Sequence, residues 1–96
     1  MYPIIRLITT EGCEGCNILR NLLYKAIEES GHNNILVEEI DCQDTKYTSF
    51  LKRYFINDFP TMVFMYAGNV LTKFIGTMTV DEIKYNIDRW FYNHSC

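Results

Sequence analysis

Two cysteines separated by two residues stand in the stretch TTEGCEGCNILRNLL, at Cys13 and Cys16. A metal site, a structural disulfide and a redox couple all use cysteines at this spacing. The apolar residues that follow predict a helix, whose free N–H groups and positive dipole end favour a thiolate over a thiol. We therefore expect Cys13, at the first turn, to attack a substrate disulfide and Cys16, inside the helix and more buried, to resolve the mixed disulfide.

The charges that flank the pair are acidic. Glu11 and Glu14 stand beside it, and no Lys or Arg lies between Arg6 and Arg20. Anionic neighbours disfavour the Cys13 thiolate, make the reduced form less favourable and lower the reduction potential. These charges predict a reductant rather than a disulfide-forming oxidant, unless the fold brings a distant cation close; the candidates are Lys46, Lys73 and Lys84.

Composition limits the setting in which this chemistry occurs. The chain has 96 residues, which predicts a single domain over residues 1–96. A net charge of −3 argues against nucleic acid or an anionic membrane as the main partner. The N-terminal segment lacks the apolar stretch of a signal peptide, and no segment has the ~20 apolar residues of a membrane span, so we expect a cytoplasmic protein. Four cysteines are too few for a disulfide scaffold.

The elements around the pair follow from hydrophobic periodicity. Residues 3–9 and 35–40 are predicted strands. The helix between them begins at the cysteines and is ended by Gly31. Its apolar residues recur at helical spacing and predict a buried face made of Ile18, Leu19, Leu22, Leu23, Ala26 and Ile27.

The second half of the chain predicts a helix, a hairpin and a last helix. Asp44 or Thr45 caps the first of these helices, and Pro60 ends it. Residues 61–66 and 70–75 are strands joined by a two-residue turn at Gly68-Asn69. Thr79 and Glu82 form a capping box before the last helix. The apolar faces of the two helices predict core residues at Tyr47, Phe50, Leu51 and Tyr54, and at Ile83, Ile87, Trp90 and Phe91.

The predicted order is β-α-β-α-β-β-α, which indicates an α/β fold with a four-stranded mixed sheet and helices on both faces. Together with CEGC after the first strand, FPT at 59–61 and the segment PTMVFMYAGNVLTKFIGTMTVDEI, this order resembles the thioredoxin and glutaredoxin family over nearly the whole chain. The resemblance implies a thioredoxin-like fold, catalytic cysteines at Cys13 and Cys16, and no bound cofactor. It also implies a cis Phe59-Pro60 bond, a substrate strand paired with the Phe59 main chain, and a groove whose other side is Gly76 and Thr77.

The chain departs from both branches of this family. Gly12 stands where thioredoxins usually have Trp, and Leu7 replaces their buried Asp, so that Glu38 or Glu39 would have to point inward to assist Cys16. The outline is glutaredoxin-sized, yet Thr10 replaces the Lys that glutaredoxins carry before the first Cys. Glutathione brings two carboxylates that need donors or cations, and the sequence offers few of them.

Other interpretations of the cysteines and aromatic residues stay open. Structural zinc would need two further ligands, with candidates at His32, Cys42, His94 and Cys96. A cluster bridged between two copies is the iron–sulfur alternative. Cys42 is otherwise expected to be a small buried hydrophobe, and Cys96 a free terminal thiol. Phe59 could pack inward or face a substrate.

The residues and the resemblance together predict a thiol–disulfide oxidoreductase that reduces protein disulfides and works as a monomer. Its electrons would come from a thioredoxin reductase or from glutathione. The alternatives are a glutathione-dependent glutaredoxin and a non-catalytic binding module that keeps the fold without the chemistry.

Overall fold

The computed structural model describes residues 1–92. Within them the predicted element order β-α-β-α-β-β-α is confirmed, with a 3₁₀ turn before the second helix and a π-helical turn after the third. The elements are β1 (Ile4–Thr9), α1 (Glu14–Ser30), β2 (Leu36–Asp41), the 3₁₀ turn (Thr45–Tyr47), α2 (Thr48–Arg53), β3 (Thr61–Tyr66), β4 (Asn69–Ile75), α3 (Val80–Ile87) and the π-helical turn (Asp88–Tyr92).

The four strands form one mixed sheet in the order β2-β1-β3-β4. β1 runs parallel to β2, and the pairs β1–β3 and β3–β4 are antiparallel. β1 therefore lies inside the sheet, which is why Ile5, Leu7 and Ile8 on both of its faces are fully buried. The carboxyl end of β1 leads directly into the loop that carries the cysteines.

Helices cover both faces of the sheet, as predicted. The first core cluster joins α1 and α3 to one face and includes Leu19, Leu23, Phe64, Ile83 and Ile87. The second cluster joins α2 to the other face and is formed by Ile8, Ile40, Leu51, Ile56, Val63 and Met65, with Tyr47, Phe50 and Tyr54 packed against it. α1 is thus fixed along its length by the first cluster, which positions the helix start that carries Cys13.

α1 buries a stripe at helical spacing that includes Cys16, Leu19, Leu23 and Ala26. Ile18 is 49 % exposed, so its predicted place in the buried face is wrong, because that position points away from the stripe. Gly31 ends the helix in the left-handed conformation at φ 78°, as predicted. No helix within residues 1–92 combines the length and the apolar character needed to cross a membrane.

α2 ends before the predicted stop at Pro60. Phe55 takes a positive φ of 55°, and its N–H donates to the Lys52 carbonyl while the Ile56 N–H donates to the Leu51 carbonyl. This pattern is a Schellman motif, and Ile56 and Leu51 belong to the same core cluster. The burial of Ile56 therefore fixes the end of the helix, although Phe55 is not a glycine.

The β3–β4 turn is shifted by one residue from the prediction. Tyr66 pairs with Asn69, so the two central residues are Ala67 and Gly68, with φ of 53° and 79°. Two positive φ values are the signature of a type I′ turn, which matches the twist of the flanking strands. The register of the buried residues in β3 fixes the turn position, at the cost of placing Ala67 in the left-handed region.

α3 begins with the predicted capping box. Thr79 N–H donates to Glu82 Oε1 at 3.0 Å, and Glu82 N–H donates to Thr79 Oγ1 at 3.1 Å. The helix then buries Ile83, Ile87 and Phe91, which follow one another at four-residue spacing. Trp90 is 36 % exposed, so its predicted core position is wrong: the π-helical turn keeps Phe91 on the buried face and leaves Trp90 outside.

Candidate active site

Cys13 and Cys16 lie at the start of α1 and are joined by a disulfide with a Cα–Cα distance of 5.2 Å. Cys13 is the N-cap residue of the helix, and its Sγ accepts a hydrogen bond from the Cys16 N–H at 3.0 Å. That sulfur therefore takes the place of a capping oxygen and lies in the field of the helix N-terminus. Cys13 is half-buried and Cys16 is 2 % exposed, which is the difference that the sequence predicted.

Pro60 and Thr77 lie beside the pair on one side. A Cβ atom placed on Gly15 would be 3.6 Å from Cδ of Pro60 and 3.9 Å from Cγ2 of Thr77, which is ordinary van der Waals contact. The N–H of Gly76 donates to the Pro60 carbonyl at 2.8 Å. The fold thus brings together Gly15, between the two cysteines, and three of the predicted groove residues from distant parts of the chain.

Phe59 is the fourth predicted groove residue. The Phe59-Pro60 peptide bond is cis, as the resemblance implied. Of the two orientations left open for the Phe59 ring, the structure has the inward one: it is half-buried and packs against the second core cluster. Only its main chain is then left to pair with a substrate strand.

A polar cleft of about 340 Å³ opens beside the disulfide. Besides both cysteines it is lined by Thr9, Thr10, Gly12, Glu14, Asn17 and Arg20. Sequence reasoning did not select Arg20, although its position four residues after Cys16 places it one helical turn further along the same side of α1.

The Arg20 side chain is held by three partners. Its Nη1 donates to Asn17 Oδ1 at 2.6 Å, and its Nε donates to Glu39 Oε1 at 2.5 Å. The second oxygen of Glu39 accepts the Tyr24 hydroxyl at 3.1 Å. Burial, and then the hydrogen bond to Glu39, raises the pKa of the Tyr24 phenol, so at neutral pH this hydroxyl keeps its proton and donates.

The acidic residues that flank the pair remain exposed. Within residues 1–92 neither Glu11 nor Glu14 forms an ion pair. Two of the three distant lysines have partners of their own, since Lys73 Nζ donates to the Tyr54 carbonyl and Lys84 pairs with Glu29. Arg20, which the sequence analysis did not consider as a local charge, is the cation that lines the cleft.

Within residues 1–92 no buried carboxylate takes the place of the Asp that thioredoxins carry where this chain has Leu7. Leu7 is fully buried in the first core cluster. Glu38 pairs with Arg6 at 2.8 Å and Glu39 with Arg20, so neither carboxylate points inward. Among the residues that the structure describes, Thr61 is the buried polar side chain, and its hydroxyl donates to the Asp58 carbonyl.

The candidate zinc ligands do not gather around the pair in the part of the chain described. Within residues 1–92 no three Cys, His, Asp or Glu side chains form a group that could hold a metal ion. His32 stacks on Tyr92, with its Nε2 3.1 Å from Asp88 Oδ1. Cys42 is half-buried and its Sγ contacts Thr10 Oγ1 at 3.4 Å. His94 and Cys96 lie outside the described residues.

Comparisons with known proteins agree with the geometry. A family model described as "Thioredoxin" matches residues 4–89. The mitochondrial thioredoxin of Bos taurus is 26 % identical over 82 residues, which cover 85 % of this chain and 48 % of the bovine protein. The chain therefore spans about half the length of that relative.

Two solved structures share the fold. One, described as "Structure of a malarial protein", superposes with a TM-score of 0.76 at 13 % identity and covers 95 % of this chain and 99 % of its own. The other, a malaria-parasite thioredoxin-2 described as a component of protein secretion machinery, gives 0.76 at 14 % identity, covering 92 % and 82 %. The thioredoxin-like fold is thus confirmed, and with the family match over residues 4–89 and a bonded Cys-x-x-Cys pair at a helix start, this chain belongs to the thioredoxin family.

Proposed function

We propose that this protein reduces disulfides in other proteins by cycling Cys13 and Cys16 between dithiol and disulfide. The observation that carries this proposal is the unequal pair: a half-buried sulfur at the N-terminus of α1, bonded to a sulfur that is almost fully buried. A partner disulfide has access to Cys13, whereas Cys16 is only 2 % exposed. The asymmetry fits an attacking and a resolving thiol.

The reaction proceeds in two thiol–disulfide exchanges. The Cys13 thiolate attacks one sulfur of the substrate disulfide, forming a mixed disulfide and releasing the other substrate sulfur as a thiolate that takes a proton from water. Cys16 then loses its proton and attacks Cys13 Sγ. The second substrate sulfur leaves, two electrons have passed to the substrate, and the Cys13–Cys16 disulfide is formed.

The substrate segment lies in the groove between the Phe59-Pro60 main chain and Gly76-Thr77. A Cβ on Gly15 would reach van der Waals distance of Pro60 and Thr77, so this groove lies directly beside the pair, which supports the assignment. An extended segment pairs there with the Phe59 main chain as an added strand. A thioredoxin reductase or glutathione regenerates the dithiol, and the protein works as a monomer.

Reduction of insulin with dithiothreitol as electron donor tests the proposal. We expect turnover in the native protein and in Cys42→Ser, the matched control, because Cys42 lies outside the bonded pair. Cys13→Ser loses turnover. Reduced Cys16→Ser, mixed with insulin after the dithiothreitol is removed, accumulates a mixed disulfide between Cys13 and insulin, visible by mass spectrometry.

Two results would contradict the assignment. Turnover in Cys13→Ser above the rate with dithiothreitol alone would remove Cys13 as the nucleophile. Absence of turnover in the folded native protein, with the Cys13–Cys16 disulfide still reducible, would favour a binding module in which the pair has lost its reaction.

A further inference from the structure

A fixed cation stands in the wall of the cleft that exposes the disulfide. Arg20 follows Cys16 by four residues, so their side chains are neighbours on one side of α1. The hydrogen bond from its Nη1 to Asn17 Oδ1 at 2.6 Å turns the guanidinium back toward the helix start. Arg20 therefore lines the same cleft of about 340 Å³ as the two cysteines.

The counter-ion of Arg20 is Glu39, which lies outside the cleft. Glu39, on β2, accepts a hydrogen bond from Arg20 Nε, and its other carboxylate oxygen accepts one from the Tyr24 hydroxyl. Neither Glu39 nor Tyr24 lines the cleft. Of the two partners in this ion pair, the positive one therefore shares the cleft with the sulfurs and the negative one does not. With both the guanidinium and the carboxylate bound by second partners, the orientation of the pair is set by the fold.

Charged groups from the other surrounding segments do not supply this positive charge. The loop before α1 brings Glu11, the helix itself brings Glu14, and the loop before β3 brings Asp58, all exposed. Within residues 1–92 none of the three forms an ion pair. The sheet beneath offers the apolar Leu7. Besides the N-terminus of α1, Arg20 is the group lining this cleft that favours a negative sulfur.

We propose that Arg20 is a positioning residue that stabilises the Cys13 thiolate, with Asn17 and Glu39 setting where its charge lies. The inference rests on the proposed function, because it names how that same site prepares its nucleophile. In the first exchange the thiolate gives its electron pair to the substrate sulfur as the substrate S–S bond breaks. Arg20 neither gives nor takes a proton; its charge raises the thiolate fraction before attack.

The pH profile of Cys13 alkylation measures this directly. The reduced protein, carrying Cys42→Ser and Cys96→Ser, is treated with iodoacetamide, which reacts with the thiolate; Cys16 is protected by burial. We expect Arg20→Gln to move the midpoint of the profile to higher pH, with about three- to tenfold less thiolate at a pH below the midpoint, as expected for loss of a nearby unit charge. Glu39→Gln moves it to lower pH, and Arg20→Lys restores part of the native position.

Arg6→Gln is the matched control. Arg6 and Glu38 form a similar ion pair between neighbouring strands, but the Arg6 guanidinium lies over Phe50, on the face of the sheet that α2 covers. Arg6→Gln removes the same net charge as Arg20→Gln, and we expect it to leave the midpoint of the alkylation profile unchanged. An equal shift in Arg6→Gln, or no shift in both Arg20→Gln and Glu39→Gln with the fold retained by circular dichroism, would overturn the proposal.

The result is separable from that of the insulin assay. Alkylation needs only the reduced thiols and no protein substrate. If the Arg20→Gln midpoint shifts but the native protein does not reduce insulin, the proposed function is refuted and the role of Arg20 stands. If the native protein reduces insulin but the midpoints of Arg20→Gln and Glu39→Gln do not shift, the proposed function stands and the role of Arg20 is refuted.

Discussion

Replacement of Leu7 by Asp tests whether this member of the family has an apolar site where others carry an acid. Leu7 is fully buried inside the sheet, and no described carboxylate points toward the interior. Truncating a buried leucine costs about 2 to 5 kcal/mol. Burying a polar group without a partner adds about 1 to 3 kcal/mol. Leu7→Asn should therefore lose roughly 3 to 8 kcal/mol, a large part of the total stability of a domain of this size, about 5 to 14 kcal/mol.

Leu7→Asp adds a dependence on pH that Leu7→Asn lacks. Burial raises the pKa of the new carboxyl above its unfolded value of about 3.9. Below that value the two variants should be equally stable. As the pH rises toward the folded-state pKa, the Asp variant should lose about 1.4 kcal/mol per pH unit relative to Asn, because the unfolded state releases the proton more readily.

Urea unfolding of both variants between pH 4 and pH 8, followed by circular dichroism, gives the comparison. Leu7→Met serves as the control for volume and should lose less than about 1.5 kcal/mol. Equal pH dependence of the Asp and Asn variants would mean that the carboxylate is solvated or paired at this position. Position 7 would then accommodate an ionised carboxyl, contrary to the apolar packing around Leu7.

Three further predictions concern the local structure. Phe55→Gly should raise the free energy of unfolding by up to about 1 kcal/mol in urea titrations, since φ is 55° there, and Phe55→Val should lower it; equal stability would mean that the positive φ carries no cost. Ala67→Asn should stabilise the turn by about 0.5 kcal/mol, because the type I′ turn then reads Asn-Gly, and a lower melting temperature would contradict the turn type. The hydrogen bonds from the Thr79 backbone and then its side chain lower the pKa of Glu82 below its ordinary 4.5. The ionised Glu82 therefore stabilises α3 fully above pH 4.5, and this stabilisation is lost as the pH falls through the lower folded-state pKa. The difference in the free energy of unfolding between the native protein and Glu82→Gln should therefore become smaller in acid, and a difference that does not change with pH would refute this prediction.

Periodicity and end signals were enough to predict the element order and the site core. The apolar spacing after Cys16, the stop at Gly31 and the Thr79–Glu82 capping box each depend on residues close in sequence. The same holds for the unequal burial of Cys13 and Cys16, which follows from their positions in the first helical turn. The placement of Pro60 and Thr77 beside the pair came from the family resemblance, because it joins segments that are distant in the sequence.

The errors occur where packing decides between local alternatives. Phe55 and Ala67 adopt positive φ values that no local rule assigns to them, because Ile56 and the residues of β3 must be buried. Trp90 lies outside because the π-helical turn keeps Phe91 in the core. Arg20 was missed as a charge at the site because its orientation depends on Glu39, which lies on a strand that reaches it only in the folded protein.

Redox equilibration of the Cys13–Cys16 pair against glutathione and dithiothreitol buffers tests the central claim most directly, on protein with Cys42 and Cys96 replaced by Ser. We predict a reversible two-electron couple more reducing than the glutathione pool, because two acidic residues, Glu11 and Glu14, flank the pair and one cation, Arg20, lines its cleft. A couple more oxidising than the glutathione pool, or a pair with no reversible couple in either buffer, would contradict the account of this protein as a disulfide reductant.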